Sequence, residues 1–125
     1  MIDTREKIVA SDQLSTTDES TIVAIGHFDV IRAEHCRLLQ QARNRAARLV
    51  AVVLSDAPER ASLLDHQARA NLTAALGSVD HVVMCDAAEA SQLVTRLGAS
   101  ATLDIDAQLQ RDVIADVLQR QSEGQ

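Results

Sequence analysis

Apolar residues along the chain alternate between short continuous runs and stripes with helical spacing. Continuous runs of this length are typical of buried strands, and stripes with a period of about 3.6 residues are typical of amphipathic helices. The runs predict four strands, at residues 21–25, 49–54, 79–84 and 101–105. The stripes predict helices that follow these strands, over residues 34–47, 56–76, 86–97 and 109–120.

Local signals predict where some of these helices begin and end. Aspartate followed three residues later by glutamate has capping-box spacing, which predicts helix starts at Asp56 and Asp86. Gly77 and Gly98 are placed to end two helices in the left-handed conformation that glycine adopts cheaply. Four leucines mark the apolar side predicted for the helix after Asp56, at Leu63, Leu64, Leu72 and Leu76.

The alternation of strands and helices through short connections predicts an α/β fold. We expect a three-layer α/β/α Rossmann-like sandwich with a mainly parallel sheet of about four to five strands. The second run is apolar throughout, which favours a central strand covered on both faces. No repeat or linker interrupts the pattern, so we expect one domain over residues 1–125.

Composition excludes several classes of function. With 12 Lys+Arg against 18 Asp+Glu and a single aromatic residue, the chain lacks the basic patch and stacking rings of a nucleic-acid binder. No apolar run approaches the ~18 residues of a membrane span, and no signal peptide is recognised, so a cytoplasmic location without membrane contact is expected. Cys36 and Cys85 share no metal-ligand spacing, and we expect two reduced thiols used in packing.

The loop after the first strand is the most unusual stretch of the sequence, because ligands of such sheets bind outside the carboxyl ends of the strands. It spans Gly26 to His35 and holds two histidines, an arginine and two carboxylates. The N-terminus of the helix that follows favours phosphate. In the alternative interpretation these are ordinary polar loop residues, and Glu34 merely complements the helix dipole.

The same loop resembles the Gly-x-Phe-Asp-x-x-His-x-Gly-His signature of the nucleotidyltransferase (cytidylyltransferase-like) superfamily. Gly26-His27-Phe28-Asp29 matches its first half, and His35 falls on its second histidine. The chain is most similar to the adenylyltransferase domain of ADP-heptose synthases, over roughly residues 7–105. The resemblance implies transfer of a nucleotidyl group from ATP or CTP to a sugar or polyol phosphate, with Mg²⁺ and release of pyrophosphate.

The resemblance also implies which residues form the site. The catalytic residues would be His35 and Arg32, the latter standing where the signature has its first histidine. The implied nucleotide-binding residues are Gly26, His27, Phe28, Asp29, Glu34 and Arg69, and no metal ligand is implied.

Several family features are missing from the sequence. Glu34 stands at the signature glycine and places a carboxylate where the triphosphate would lie. The lysine-bearing loop before Arg69 is absent, Asp104-Ile105-Asp106 replaces a Lys-Gly-Gly-Asp-Tyr run, and no C-terminal Ser/Thr motif follows. We expect Asp104 and Asp106 to have a strand-end role rather than to bind a cation, and His66 and His81 to lie outside any ligand set.

Two interpretations follow. In the first, the protein is a nucleotidyltransferase by descent with impaired catalysis. In the second, it is a non-catalytic ligand-binding or interaction subunit, and an apolar patch faces a second copy or another protein.

Overall fold

A computed structural model describes residues 3–16, 19–56 and 62–109. Its sheet has four parallel strands in the order β3-β2-β1-β4. The strands are β1 (Thr21–Gly26), β2 (Arg48–Leu54), β3 (His81–Cys85) and β4 (Ala101–Asp104). The α-helices that connect them are α1 (Ala33–Asn44), α2 (His66–Ala74) and α3 (Ala87–Leu97).

Helices cover both faces of the sheet, as the sequence predicts for a three-layer Rossmann-like sandwich. Alternate residues of β2 point to opposite cores, with Leu49 and Val53 on one face and Val50 and Val52 on the other. The first core includes α1 and α2, and the second includes α3. All of these β2 residues are fully buried, which confirms the prediction of a central strand.

Helix α3 begins and ends as predicted. The Asp86 carboxylate accepts a hydrogen bond from the backbone N–H of Glu89 at 2.8 Å. Gly98 ends the helix with φ 62° and ψ 42°, the left-handed conformation that favours glycine.

The prediction for helix α2 was wrong at both ends. The helix begins at His66, with Asp65 as its cap, and not at Asp56. Asp56 is held outside the helix, because its carboxylate accepts hydrogen bonds from Ser62 Oγ at 2.6 Å and from Arg69 at 2.9 Å. The helix ends with Ala75 as a right-handed cap, so Gly77 is not its left-handed terminus.

The buried side of α2 also differs from the prediction. Its buried residues are Arg69, Ala70, Thr73 and Ala74. Leu63 and Leu64 precede the helix, and Leu72 is 48% exposed. Only Leu76, among the four predicted leucines, packs against the core. The later start leaves Leu63 and Leu64 outside the helix, and α2 packs against the sheet through a face of smaller or polar side chains instead.

The two ends of the described chain lie against the sheet. Short 3₁₀ turns occur at Thr4–Lys7 and Ser11–Gln13, and the backbone N–H of Val9 donates to Val82 O at 2.9 Å, at the edge strand β3. Residues 105–109, after β4, are helical, so this helix begins four residues earlier than predicted. Residues 110–120 of the predicted helix lie outside the described residues.

Candidate functional site

The loop after β1 begins at Gly26, which lies very close to the residues that follow β4. A Cβ atom built on Gly26 would collide with Ile105 Cγ2 and lie 3.2 Å from Asp106 Oδ1. Any larger residue at position 26 would push this segment away from the end of β1. Gly26 therefore serves backbone packing at the carboxyl edge of the sheet, where the sequence places the ligand.

His27 contacts the carboxylate of Asp106, a residue for which the sequence predicts only a role at the end of a strand. Asp106 Oδ2 lies 2.7 Å from His27 Nδ1 and accepts a hydrogen bond from the His27 backbone N–H at 3.1 Å. No motif signals this pairing, because the two residues are 79 positions apart in sequence. Asp104 caps the following helix instead, by accepting a hydrogen bond from the Ala107 N–H at 3.1 Å.

Phe28 occupies an unusual backbone conformation. Its φ angle is 53°, the only positive value among the non-glycine residues that the structure describes, and its side chain is fully buried in the core. A left-handed conformation costs a bulky residue of order 1–3 kcal/mol, so the surrounding contacts must hold the loop in place. The structure thus makes Phe28 an anchor of the loop rather than a side chain exposed to ligand.

Asp29 links the loop to the segment before α2. Its two carboxylate oxygens accept hydrogen bonds from the backbone N–H groups of Leu63 at 3.0 Å and Leu64 at 3.1 Å. This segment connects directly to Asp65, the cap of α2. Asp29 therefore fixes the segment that leads into α2 against the loop after β1.

Arg69 is fully buried at the centre of this edge of the sheet. One guanidinium nitrogen donates to the backbone carbonyls of His27 and Leu54, both at 2.7 Å. Nε donates to Leu64 O at 3.2 Å, and the other terminal nitrogen donates to the Asp56 carboxylate at 2.9 Å. The residue joins the loop after β1, the end of β2 and the start of α2, so its donors are engaged by the protein itself.

The N-terminus of α1 brings Arg32, Glu34 and His35 together. Arg32 is the exposed N-cap, and its backbone N–H donates to His35 Nδ1 at 3.1 Å. Burial lowers the pKa of His35, and the Arg32 guanidinium lowers it further, against the opposing charges of Asp106 and Glu34. The imidazole is therefore neutral at pH 7, and because Nδ1 accepts a hydrogen bond, its proton lies on Nε2.

Carboxylates are abundant around these groups. Glu34 is half-buried in the first turn of α1, while Asp56 and Asp106 lie after β2 and β4. Of the two arginines described at this edge of the sheet, Arg32 is exposed, whereas Arg69 is buried and paired with Asp56. This edge of the sheet therefore presents the N-terminus of α1 together with few exposed positively charged side chains.

An apolar groove of about 550 Å³ opens beside the loop. Its lining includes Asp29 and Ile31 from the loop and Ala75 and Leu76 from the end of α2 and the residue after it. The groove also collects every large exposed hydrophobic residue of the described chain: Val30, Leu63, Leu64 and Leu72. Three of the four leucines predicted to face the core, Leu63, Leu64 and Leu72, line this groove instead.

The remaining candidate residues take no part in this site. His66 Nε2 lies 2.6 Å from Val53 O, and His81 stands at the opposite end of the sheet, at the start of β3. Cys36 is exposed, so its predicted packing role was wrong, because the first turn of α1 turns that position to solvent. Cys85 is buried as predicted, and burial raises the pKa of its thiol to about 11.

Neither a metal cluster nor a membrane span is evident in the part of the chain that the structure describes. No three His, Cys, Asp or Glu side chains there form a metal-binding group. Across the same residues, no helix has the length and apolar character needed to cross a membrane.

The parallel sheet and the loop after β1 define a Rossmann-like domain of the nucleotidyltransferase type. A family model for cytidylyltransferase-like proteins matches residues 23–120. The chain belongs to the cytidylyltransferase-like family, which confirms the resemblance seen in the Gly26–His35 signature.

Two individual proteins are similar to this chain, one in sequence and one in fold. The chain is 37% identical over 75 residues to the Bifunctional protein HldE of Koribacter versatilis (strain Ellin345), a match that covers 55% of this chain and 15% of that protein. The fold is similar to that of the lipopolysaccharide core biosynthesis protein from Thermoplasma volcanium GSS1, with a TM-score of 0.61, 20% identity and coverage of 78% of this chain and 88% of that one.

Proposed function

We propose that the protein binds the phosphates of ATP or CTP at the carboxyl edge of its sheet and descends from enzymes that transfer the nucleotidyl group to a sugar phosphate. The observation that carries the proposal is the placement of Arg32 and His35 at the N-terminus of α1, which follows the loop that holds His27. Backbone N–H groups and the helix dipole there favour phosphate oxygens. The resemblance of residues 7–105 to the adenylyltransferase domain of ADP-heptose synthases favours a sugar or polyol phosphate as acceptor.

In the ancestral reaction, a phosphate oxygen of the acceptor attacks the α-phosphorus of the nucleotide. The bond from that phosphorus to the pyrophosphate group breaks, and pyrophosphate leaves. Such a reaction depends on positioning and on stabilising the charge on the phosphates. Arg32 would bind a phosphate through its guanidinium, and His35 would donate one hydrogen bond from Nε2. Among the described residues, no three His, Cys, Asp or Glu side chains form a group that could hold a metal ion.

We also propose that catalysis is impaired. Glu34 opposes the charge of the phosphates from within the first turn of α1, and Arg69 is occupied by backbone carbonyls and Asp56. The cationic groups left to neutralise a triphosphate are few. Nucleotide binding should therefore persist more readily than rapid transfer.

Calorimetric titration with ATP and with CTP, each with magnesium, tests this proposal. We expect micromolar binding of one nucleotide, weakened about fivefold by Arg32→Ala, because one charged contact to phosphate contributes about 1 kcal/mol at an exposed position. His35→Ala should weaken binding similarly, provided that circular dichroism shows a folded variant.

Arg37→Ala is the matched control, since it removes the same charge from an exposed position further along α1. It should change the affinity less than about twofold. Absence of binding by both nucleotides in folded protein would refute the proposal, as would equal effects of the Arg32 and Arg37 substitutions.

The apolar groove favours a second candidate function, that of a non-catalytic subunit. Its four large exposed side chains form a single patch beside the loop, and monomeric proteins seldom leave such patches uncovered. We take a second copy of this chain as the occupant to test, because two-fold self-association is the commonest oligomeric arrangement of soluble proteins.

Light scattering coupled to size-exclusion chromatography tests the groove. If the groove joins two copies of the chain, the wild type is a dimer. The double variant Leu63→Ser/Leu72→Ser should then be a monomer, because the polar side chains remove apolar area from the contact. Ala101→Ser, at an exposed position of β4 away from the groove, is the control and should leave the dimer intact. A monomeric wild type would exclude this occupant.

A further inference from the structure

The contact between His27 and Asp106 has the geometry of an occupied anion site. A single carboxylate oxygen, Asp106 Oδ2, accepts from the backbone N–H of His27 at 3.1 Å and lies 2.7 Å from Nδ1 of the same residue. Two N–H donors of one residue that converge on one oxygen also suit a phosphate oxygen, which has the same charge and accepts hydrogen bonds in the same way.

The structure holds this carboxylate in place from both sides. Ile105 is fully buried and packs against the bare backbone of Gly26, while Asp104 caps the helix through the Ala107 N–H. Asp106 follows Ile105 in the first turn of the helix over residues 105–109, and its carboxylate contacts the loop after β1 at His27. The Asp106 carboxylate raises the pKa of His35 against the larger lowering by burial, so its charge acts on the N-terminus of α1.

The side chains of His27 and Asp106 are partly exposed to solvent, so an anion from solvent can replace the carboxylate. The imidazole of His27 is 15% exposed and the carboxylate of Asp106 is 31% exposed. An incoming anion could therefore reach the two donors if the carboxylate moved aside. A carboxylate that stays would repel that anion at contact distance, where the interaction between charges is strongest.

We propose that Asp106 is an internal occupant of a phosphate site formed by the backbone N–H and Nδ1 of His27, and that it holds this site closed until a phosphate group displaces it. The inference rests on the proposed function for the chemical class of the anion. It adds a regulatory contact that the resemblance to the family does not supply.

Asp106→Ala tests the inference, with inorganic pyrophosphate as the probe and no metal present. Calorimetry should show pyrophosphate binding at least about tenfold tighter than in the wild type, since a competing charge of the same sign is removed. Adding His27→Ala to this variant should abolish most of the gain. Asp106→Asn keeps the side-chain shape, so it should fold even if Asp106→Ala does not, and it should show a smaller gain of the same sign.

Asp104→Asn is the matched control, because it removes an equal charge two residues away and asparagine still caps a helix. The inference is overturned if Asp104→Asn strengthens pyrophosphate binding as much as the Asp106 variants do, or if the Asp106 variants show no gain.

A parallel titration of each variant with ATP and magnesium separates the two proposals. Nucleotide binding by the wild type without any gain on removing Asp106 refutes the internal occupant alone. A pyrophosphate gain in protein that binds neither ATP nor CTP keeps the anion site and refutes the proposed nucleotide function.

Discussion

Replacing Arg69 with methionine should destabilise the protein by about 3–5 kcal/mol, because several buried carbonyls lose their donor and a cavity remains beside them. The guanidinium donates to the carbonyls of His27, Leu54 and Leu64, and it is fully buried. Methionine fills part of the volume but donates nothing. Urea unfolding followed by circular dichroism measures the effect, since the chain has no Trp or Tyr for fluorescence.

With a slope of about 1–3 kcal/mol per M of urea, the midpoint should fall by roughly 2 M. Arg43→Met is the matched control. Arg43 also combines an ion pair, to Asp80 at 3.0 Å, with a bond to a carbonyl, but it is about one-third exposed. Its loss should cost less than about 1 kcal/mol. Equal destabilisation by both substitutions would contradict the role assigned to Arg69.

Replacing Glu34 should strengthen nucleotide binding while weakening the fold slightly. At an effective dielectric of ~20, a carboxylate ~5 Å from a phosphate opposes binding by about 3 kcal/mol, which partial exposure reduces to about 1–2 kcal/mol. We therefore expect Glu34→Gln to raise the affinity for ATP with magnesium about tenfold. Glu34→Gly, which restores the residue of the family signature, should raise it about thirtyfold because the backbone becomes approachable as well.

Glu34→Gln also removes a negative charge that interacts favourably with the dipole of α1. We expect this loss to lower the free energy of unfolding by about 0.5 kcal/mol. Glu89→Gln is the control, since Glu89 occupies the first turn of α3, whose core lies on the other face of the sheet. It should lower stability similarly and leave nucleotide affinity unchanged. An affinity for ATP that is insensitive to Glu34 would show that the phosphates do not lie at the N-terminus of α1.

Periodicity predicted the framework because strands and helices bury their apolar residues at characteristic spacings. Features that depend on neighbouring residues alone can be recognised in the sequence. They include the apolar runs around Val23 and Val50 and the helix caps at Asp86 and Gly98. Helix α2 was misplaced because two aspartates, Asp56 and Asp65, both have the chemistry of a cap. The contact of Asp56 with Arg69 excludes it from that role, and such a contact exists only in the folded chain.

The sequence predicted the position of the candidate site, and the roles of its residues stay predictions. The loop that begins at Gly26 does lie at the carboxyl edge of the sheet, beside the N-terminus of α1. The resemblance could not show that Arg69 is engaged by main-chain carbonyls or that Phe28 is buried with a positive φ angle. Asp106 escaped notice because nothing local connects it with His27.

The attachment of the N-terminal segment to β3 has a consequence for how the chain folds. Residues Ile8 and Val82 form a bridge across 74 positions of sequence, so this contact closes one of the longest loops in the molecule. Contacts of such separation are slow to form, and until this one forms the polar edge of β3 stays open to strands from other molecules. In the folded chain, the segment before β1 occupies part of this edge through the bridge at Val82, so those backbone groups of β3 are not available to a strand of another molecule.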